Sequence, residues 1–236
     1  ASQLLCCLFR LSLDFLSTIR ITHLHTKSYT LYFENSRTNI AMDISVQELL
    51  DNMKKYQVVH FATHGHVDFH APLNSFLQVS PSEKLTLADI LGATIGEVDV
   101  AVLSSCETNL PADVKILNES VSFPTGLMQG GFLSVISSLW IVNDISTALL
   151  MLKLYDLWLR AKIALPNALQ AAQIWIRDST VDEINSFLTN GAPEQIQQEV
   201  LEGSALDLLV AILMSNKKKP FEDPKHWAGF SYTGIQ

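Results

Sequence analysis

The sequence predicts an α/β sandwich, a central and mostly parallel β-sheet flanked by helices on both faces. Three observations predict it. Short apolar, β-branched runs recur without polar alternation, as strands buried on both faces require. Helix-period segments alternate with them along the chain. A length of 236 residues, 48% apolar and 17% charged, is enough for one large core.

In chain order, residues 1–28 read as a tail or the remnant of an upstream region. Leu4 to Leu16 is apolar, but Arg10 and Asp14 interrupt it well short of the roughly 18 residues a membrane span needs. The chain begins with Ala rather than Met, as a piece of a longer protein would. The organised domain is expected over residues 29–236, opening on a strand at Tyr29-Thr30-Leu31-Tyr32-Phe33. Ser45 is placed to cap a helix from Val46 to Lys55. Val58-Val59-His60-Phe61-Ala62 is a buried strand ended by Thr63-His64-Gly65, and Phe76 to Val79 is a short strand. Thr86 caps a helix to about Ala93, and Val98 to Leu103 is a second buried strand. Strand, helix, strand in that order implies a parallel pair joined by a crossover. Phe132 to Ile136 follows the Gly130-Gly131 break as a third buried strand. Asp144 is expected to cap a long amphipathic helix to about Arg160, Pro166 to open another through Arg177, and Trp227 to Thr233 to form the last strand.

Composition narrows the function. Sixteen basic against twenty-four acidic residues leave a net charge of −8 and no broad footprint for nucleic acid, and Lys217-Lys218-Lys219 reads as a solvated loop. Three cysteines, Cys6, Cys7 and Cys106, do not make a paired extracellular framework, so a reducing, cytoplasmic setting is expected. No membrane partner and no cofactor is expected.

The chemistry gathers where parallel strands end, because loops converge there above the sheet. His64 follows the Val58–Ala62 run and Cys106 follows Val98–Leu103. Neighbouring strands lie about 4.8 Å apart, which sets an imidazole beside a thiol. A cysteine is mostly protonated near neutrality, and a histidine can take its proton and later return it to a leaving amine. The backbone N–H groups of Gly65 and Cys106 are candidates for holding an oxyanion. His60, inside the strand, reads as a core or supporting histidine; Thr63 and Ser105 satisfy backbone groups, and Glu107 starts a helix or lies at the surface.

A metal reading competes at His64-Gly65-His66-Val67-Asp68-Phe69-His70, which is close to the His-x-His-x-Asp-His run of metallo-β-lactamase-like hydrolases. Phe69 separates the Asp from the last His, and the metal reading leaves Cys106 unexplained. No metal is therefore expected.

His60-Phe61-Ala62-Thr63-His64-Gly65, Leu103-Ser104-Ser105-Cys106-Glu107-Thr108, Ser138-Leu139-Trp140-Ile141-Val142-Asn143-Asp144 and His226-Trp227-Ala228-Gly229-Phe230 resemble, in order, the motifs of CHAT domains, relatives of caspases and separases. The resemblance implies a caspase-like three-layer sandwich and a His64/Cys106 dyad that needs no third member. It also implies hydrolysis of a peptide bond in an intracellular protein or peptide substrate. The loop after the third buried strand would line the groove, making Trp140 and Asp144 candidate substrate contacts. Such domains commonly follow helical repeats that recognise partners, so a helical-repeat regulatory partner is a further expectation. The alternative is a CHAT docking or signalling module without turnover.

Overall fold

Runs of apolar residues with high strand propensity build the frame. The computed structural model describes residues 4–8, 40–41, 44–68, 70–104, 123–194, 197–198 and 217–234. Two compact units divide the chain: residues 1–10, 35–141 and 230–236 form the first, residues 11–34 and 142–229 the second.

The first unit carries a six-stranded sheet. Its strands are β1 (Leu4–Leu8), β2 (Ile40–Ala41), β3 (Val58–Ala62), and then β7 (Val98–Leu103), β8 (Phe132–Ser138) and β9 (Phe230–Gly234). Across the sheet the order is β2-β1-β3-β7-β8-β9. Every pairing is parallel except β8 with β9. The protein is thus mixed α/β with a mostly parallel central sheet flanked by helices, as a caspase-like fold requires. Leu4–Leu8, which the sequence reading leaves in a tail, is a full strand paired along β3 from Leu4↔Val58 to Leu8↔Ala62. The strand expected at Tyr29–Phe33 lies outside the described residues.

Three helices of this unit are α1 (Val46–Met53), α2 (Leu87–Gly92) and α3 (Phe123–Gln129). Ser45 caps α1, its hydroxyl accepting from the Glu48 N–H at 3.2 Å. Thr86 and Asp89 form a reciprocal capping box on α2. These helices bury Leu49, Met53, Leu87, Ile90 and Leu127 against Val59, Phe61, Ala101, Leu103 and Val135 of one sheet face. The opposite face, with Val58, His60, Val100, Val102 and Ile136, is buried as well. Burial on both faces explains why these strands show no polar alternation. Gly131, with φ +115°, makes the turn from α3 into β8, where an added Cβ would collide with the Gly96 carbonyl oxygen.

A second, three-stranded antiparallel sheet, β4 (Gly65–His66), β5 (Phe76–Gln78) and β6 (Lys84–Thr86), grows from the segment after β3.

The second unit holds α4 (Asp144–Tyr155), α5 (Leu165–Asp178) and α6 (Val181–Ser186). Asn143, not Asp144, is the N-cap of α4: its side chain accepts from the Ser146 N–H at 3.1 Å and leaves Asp144 in the first turn. Nor is α4 amphipathic, since nine of its twelve residues are buried. After Tyr155 the backbone widens into a π turn, Asp156–Arg160. There the buried Asp156 carboxylate pairs with Lys153 at 3.2 Å and Arg160 at 2.6 Å. Pro166 stands in the first turn of α5, as expected. The final strand starts at Phe230 rather than Trp227, because Pro224–His226 forms a 3-10 turn whose Pro224 carbonyl receives the Trp227 N–H. Among the described residues, no helix is long and apolar enough to cross a membrane.

Candidate active site

The β3–β7 ladder is the base of the site. Its register runs Val58↔Val100, Val59↔Ala101, His60↔Val102 and Phe61↔Leu103, and the Ser104 N–H extends it by donating to the Phe61 carbonyl at 3.1 Å. Consecutive partners of one crossover are therefore neighbours, as the order of elements predicts.

Past the end of β3 the chain is held from the side by β5. The Thr63 hydroxyl donates to the Gln78 carbonyl, and the Gln78 N–H donates to the His64 carbonyl at 2.7 Å. His64 thus stands on a tethered backbone with a half-buried side chain. Gly65 is buried and pairs across from Leu77. Since the adjacent His64–Gln78 position carries a ladder bond, antiparallel alternation turns the Gly65 N–H away from β5, toward the outer edge of β4. A Cβ at Gly65 would sit 3.3 Å from Leu77 Cδ2, so the glycine is set by close packing with β5 and not by a left-handed turn.

The histidine-rich loop that follows is organised by its own backbone. One Asp68 oxygen accepts from the N–H groups of both His70 and Ala71 at 2.9 Å. Those bonds, the Ala71 one foremost, hold its carboxyl below the usual carboxylate range. The His66 ring lies against Phe76, with centroids 5.3 Å apart. Among the described residues, no group of three or more His, Cys, Asp or Glu side chains is arranged to hold a metal ion.

At the end of β7, Ser104 is buried, and its Oγ lies 2.7 Å from Nε2 of the fully buried His60. His60 is thus the buried core histidine that the sequence predicts, with Ser104 as a partner that the sequence reading does not name. Period-two alternation was the available signal, because Ser104 lies two residues beyond Val102, the residue paired with His60. Cys106 lies outside the described residues, together with Ser105 and Glu107.

Trp140 follows β8 in the first unit, 37% exposed between Leu139 and Ile141, which are 37% and 53% exposed. Asp144 belongs to the second unit and is exposed in the first turn of α4. The last motif also lies mainly in the second unit. There His226 Nδ1 is 3.2 Å from Ser146 Oγ, and the ring meets Phe221 edge-on at 5.2 Å. Burial, with help from the neighbouring Lys225, pushes the His226 pKa down.

Residues 20–235 match the family model of the CHAT domain. A search of curated proteins finds no match.

Proposed function

Because the chain belongs to the CHAT domain family, a caspase-like family, we propose that it is a cysteine endopeptidase working through a His64/Cys106 dyad. The observation that carries this reading is the parallel register Phe61↔Leu103. His64 and Cys106 each follow that paired position by three residues in sequence, and β3 and β7, the strands that precede them, are neighbours. Two peptide units separate Cys106 from Ser104, a reach of at most about 7 Å.

In this mechanism His64 takes the Cys106 proton as sulfur attacks the scissile carbonyl. The imidazolium returns that proton to the leaving amine, and water then releases the acyl group from sulfur. The Gly65 N–H, turned off the β5 ladder, supports an oxyanion role together with the Cys106 N–H. Trp140, half exposed in an apolar strip after β8, is the proposed wall for a substrate side chain, and Asp144 is a second proposed contact. The proposed substrate is an intracellular protein or peptide, and a helical-repeat partner is the proposed regulator.

The test is cleavage of a diverse peptide library, with and without candidate partner proteins, by wild type, Cys106→Ala and His64→Ala. Cleavage by wild type alone, unchanged by chelator, is the expected result. Equal cleavage by Cys106→Ala refutes the dyad. Partner binding that Cys106→Ala leaves intact, with no cleavage by either protein, would make the domain a docking module.

A further inference from the structure

We infer that His60 and Ser104 are a positioning pair that locks the two strand ends carrying the proposed dyad, an inference that rests on the peptidase reading above. The bond crosses from β3 to β7. His60 Nε2 and Ser104 Oγ are 2.7 Å apart, His60 is fully buried and Ser104 is 8% exposed. Their sheet face also buries Val58, Val100, Val102 and Ile136, together with Ser134 and Ser138 of β8. A hydrophobic pair would fill such a face without having to satisfy an imidazole and a hydroxyl out of contact with water.

Placement explains what the polar pair adds. His60 precedes His64 by four residues, and Ser104 precedes Cys106 by two. Ser104 is also bonded to β3 through its own N–H on the Phe61 carbonyl, so backbone and side chain both fasten this residue to the strand that leads to His64. On the other side, the Thr63 and Gln78 bonds hold the same end of β3 to β5. The strand end before His64 is thereby held from two directions, and Ser104, two residues before Cys106 in sequence, is held to β3 by backbone and side chain. His60 and Ser104 act through the dyad and touch no substrate.

The experiment compares wild type with Ser104→Ala, which removes the hydroxyl, Ser104→Thr, which keeps it, and His60→Leu. Readouts are kcat and KM on a peptide that wild type cleaves, thermal unfolding, and the pH midpoint of Cys106 alkylation by iodoacetamide, followed by mass spectrometry on the Cys106 peptide. Ser104→Ala is expected to lower kcat about tenfold to a hundredfold with KM little changed, and to shift the alkylation midpoint, while Ser104→Thr restores both. Should His60→Leu not fold, the two Ser104 variants still decide. Ser104→Ala with a wild-type kcat and midpoint overturns the inference, as does equal loss in Ser104→Ala and Ser104→Thr. If wild type cleaves no peptide through Cys106, the peptidase reading fails by itself. The alkylation midpoint then decides the positioning claim: a shift in Ser104→Ala alone sustains it, and no shift overturns it.

Discussion

Adding one methyl group at residue 131 and the same group at residue 92 is expected to move stability in opposite directions. Gly131 has φ +115°, and its added Cβ would run into the Gly96 carbonyl oxygen, a backbone atom that cannot rotate aside. Its own carbonyl accepts the Val98 N–H at 3.0 Å, the bond that opens the β7–β8 pairing, so the strain falls on the sheet register. Backbone strain of about 1–3 kcal/mol and overpacking of about 1–3 kcal/mol together put Gly131→Ala near 4 kcal/mol. For a chain of this size that lowers the melting temperature by about 8–16 °C. Gly92 ends α2 without a positive φ, and nothing lies within 4 Å of an added Cβ. Gly92→Ala should therefore stabilise by about 0.4–1 kcal/mol, mainly by restricting the unfolded chain. Differential scanning calorimetry on both variants checks the pair. A Gly131→Ala melt within about 2 °C of wild type, under 1 kcal/mol on the same conversion, would refute the close approach of Gly131 to Gly96.

Three other predictions concern the second unit and the loop beside His64. Burial depresses the His226 pKa below its ordinary 6.5, so the unfolded chain takes up this proton first. The stability contributed by the neutral ring is present above pH 6.5 and declines as pH falls through it, and His226→Gln should flatten that part of the melting-temperature profile. Asn143→Ala is expected to cost about 1 kcal/mol in urea unfolding, and Asp144→Ala only about 0.3–1 kcal/mol through the helix dipole. A reversed order would contradict the cap assignment. Asp68→Ala removes the acceptor of two loop N–H groups and should speed proteolytic nicking around His70 and Ala71 while leaving the melting temperature near wild type.

What could be read from the sequence follows the physics of each element. β3, β7 and β8 are short apolar runs buried on both faces, and their signal is local, so the sheet and its crossover were legible. Leu4–Leu8 is a similar apolar run in sequence, but it is isolated from the other strands along the chain, and only its pairing along β3 distinguishes it from an apolar tail. β4 and β6 span two and three residues, too short for any period to show. Asn143 and Asp144 are both good capping residues, and only the backbone conformation separates cap from first turn. The sequence predicts an amphipathic helix at α4, whereas even its polar Ser146 and Thr147 are buried. At the site, the position of His64 past β3 was legible. The His60–Ser104 bond was not, because it depends on how two strands forty residues apart align.

That alignment links the fold to the proposed chemistry. Parallel strands shift past each other in steps of about 3.3 Å per residue, and apolar side chains alone discriminate weakly between registers two residues apart, because the same faces stay buried. Such a slip would leave Val58, Val100 and Val102 inside the protein but carry Ser104 out of reach of His60. It would equally destroy the equal three-residue offset of His64 and Cys106 from Phe61↔Leu103. A buried imidazole and hydroxyl bonded to each other in the observed register make the slip costly, since it would forfeit a hydrogen bond worth about 0.5–1.5 kcal/mol. The polar pair therefore favours the alignment in which the two residues of the proposed dyad share one sequence offset from Phe61↔Leu103.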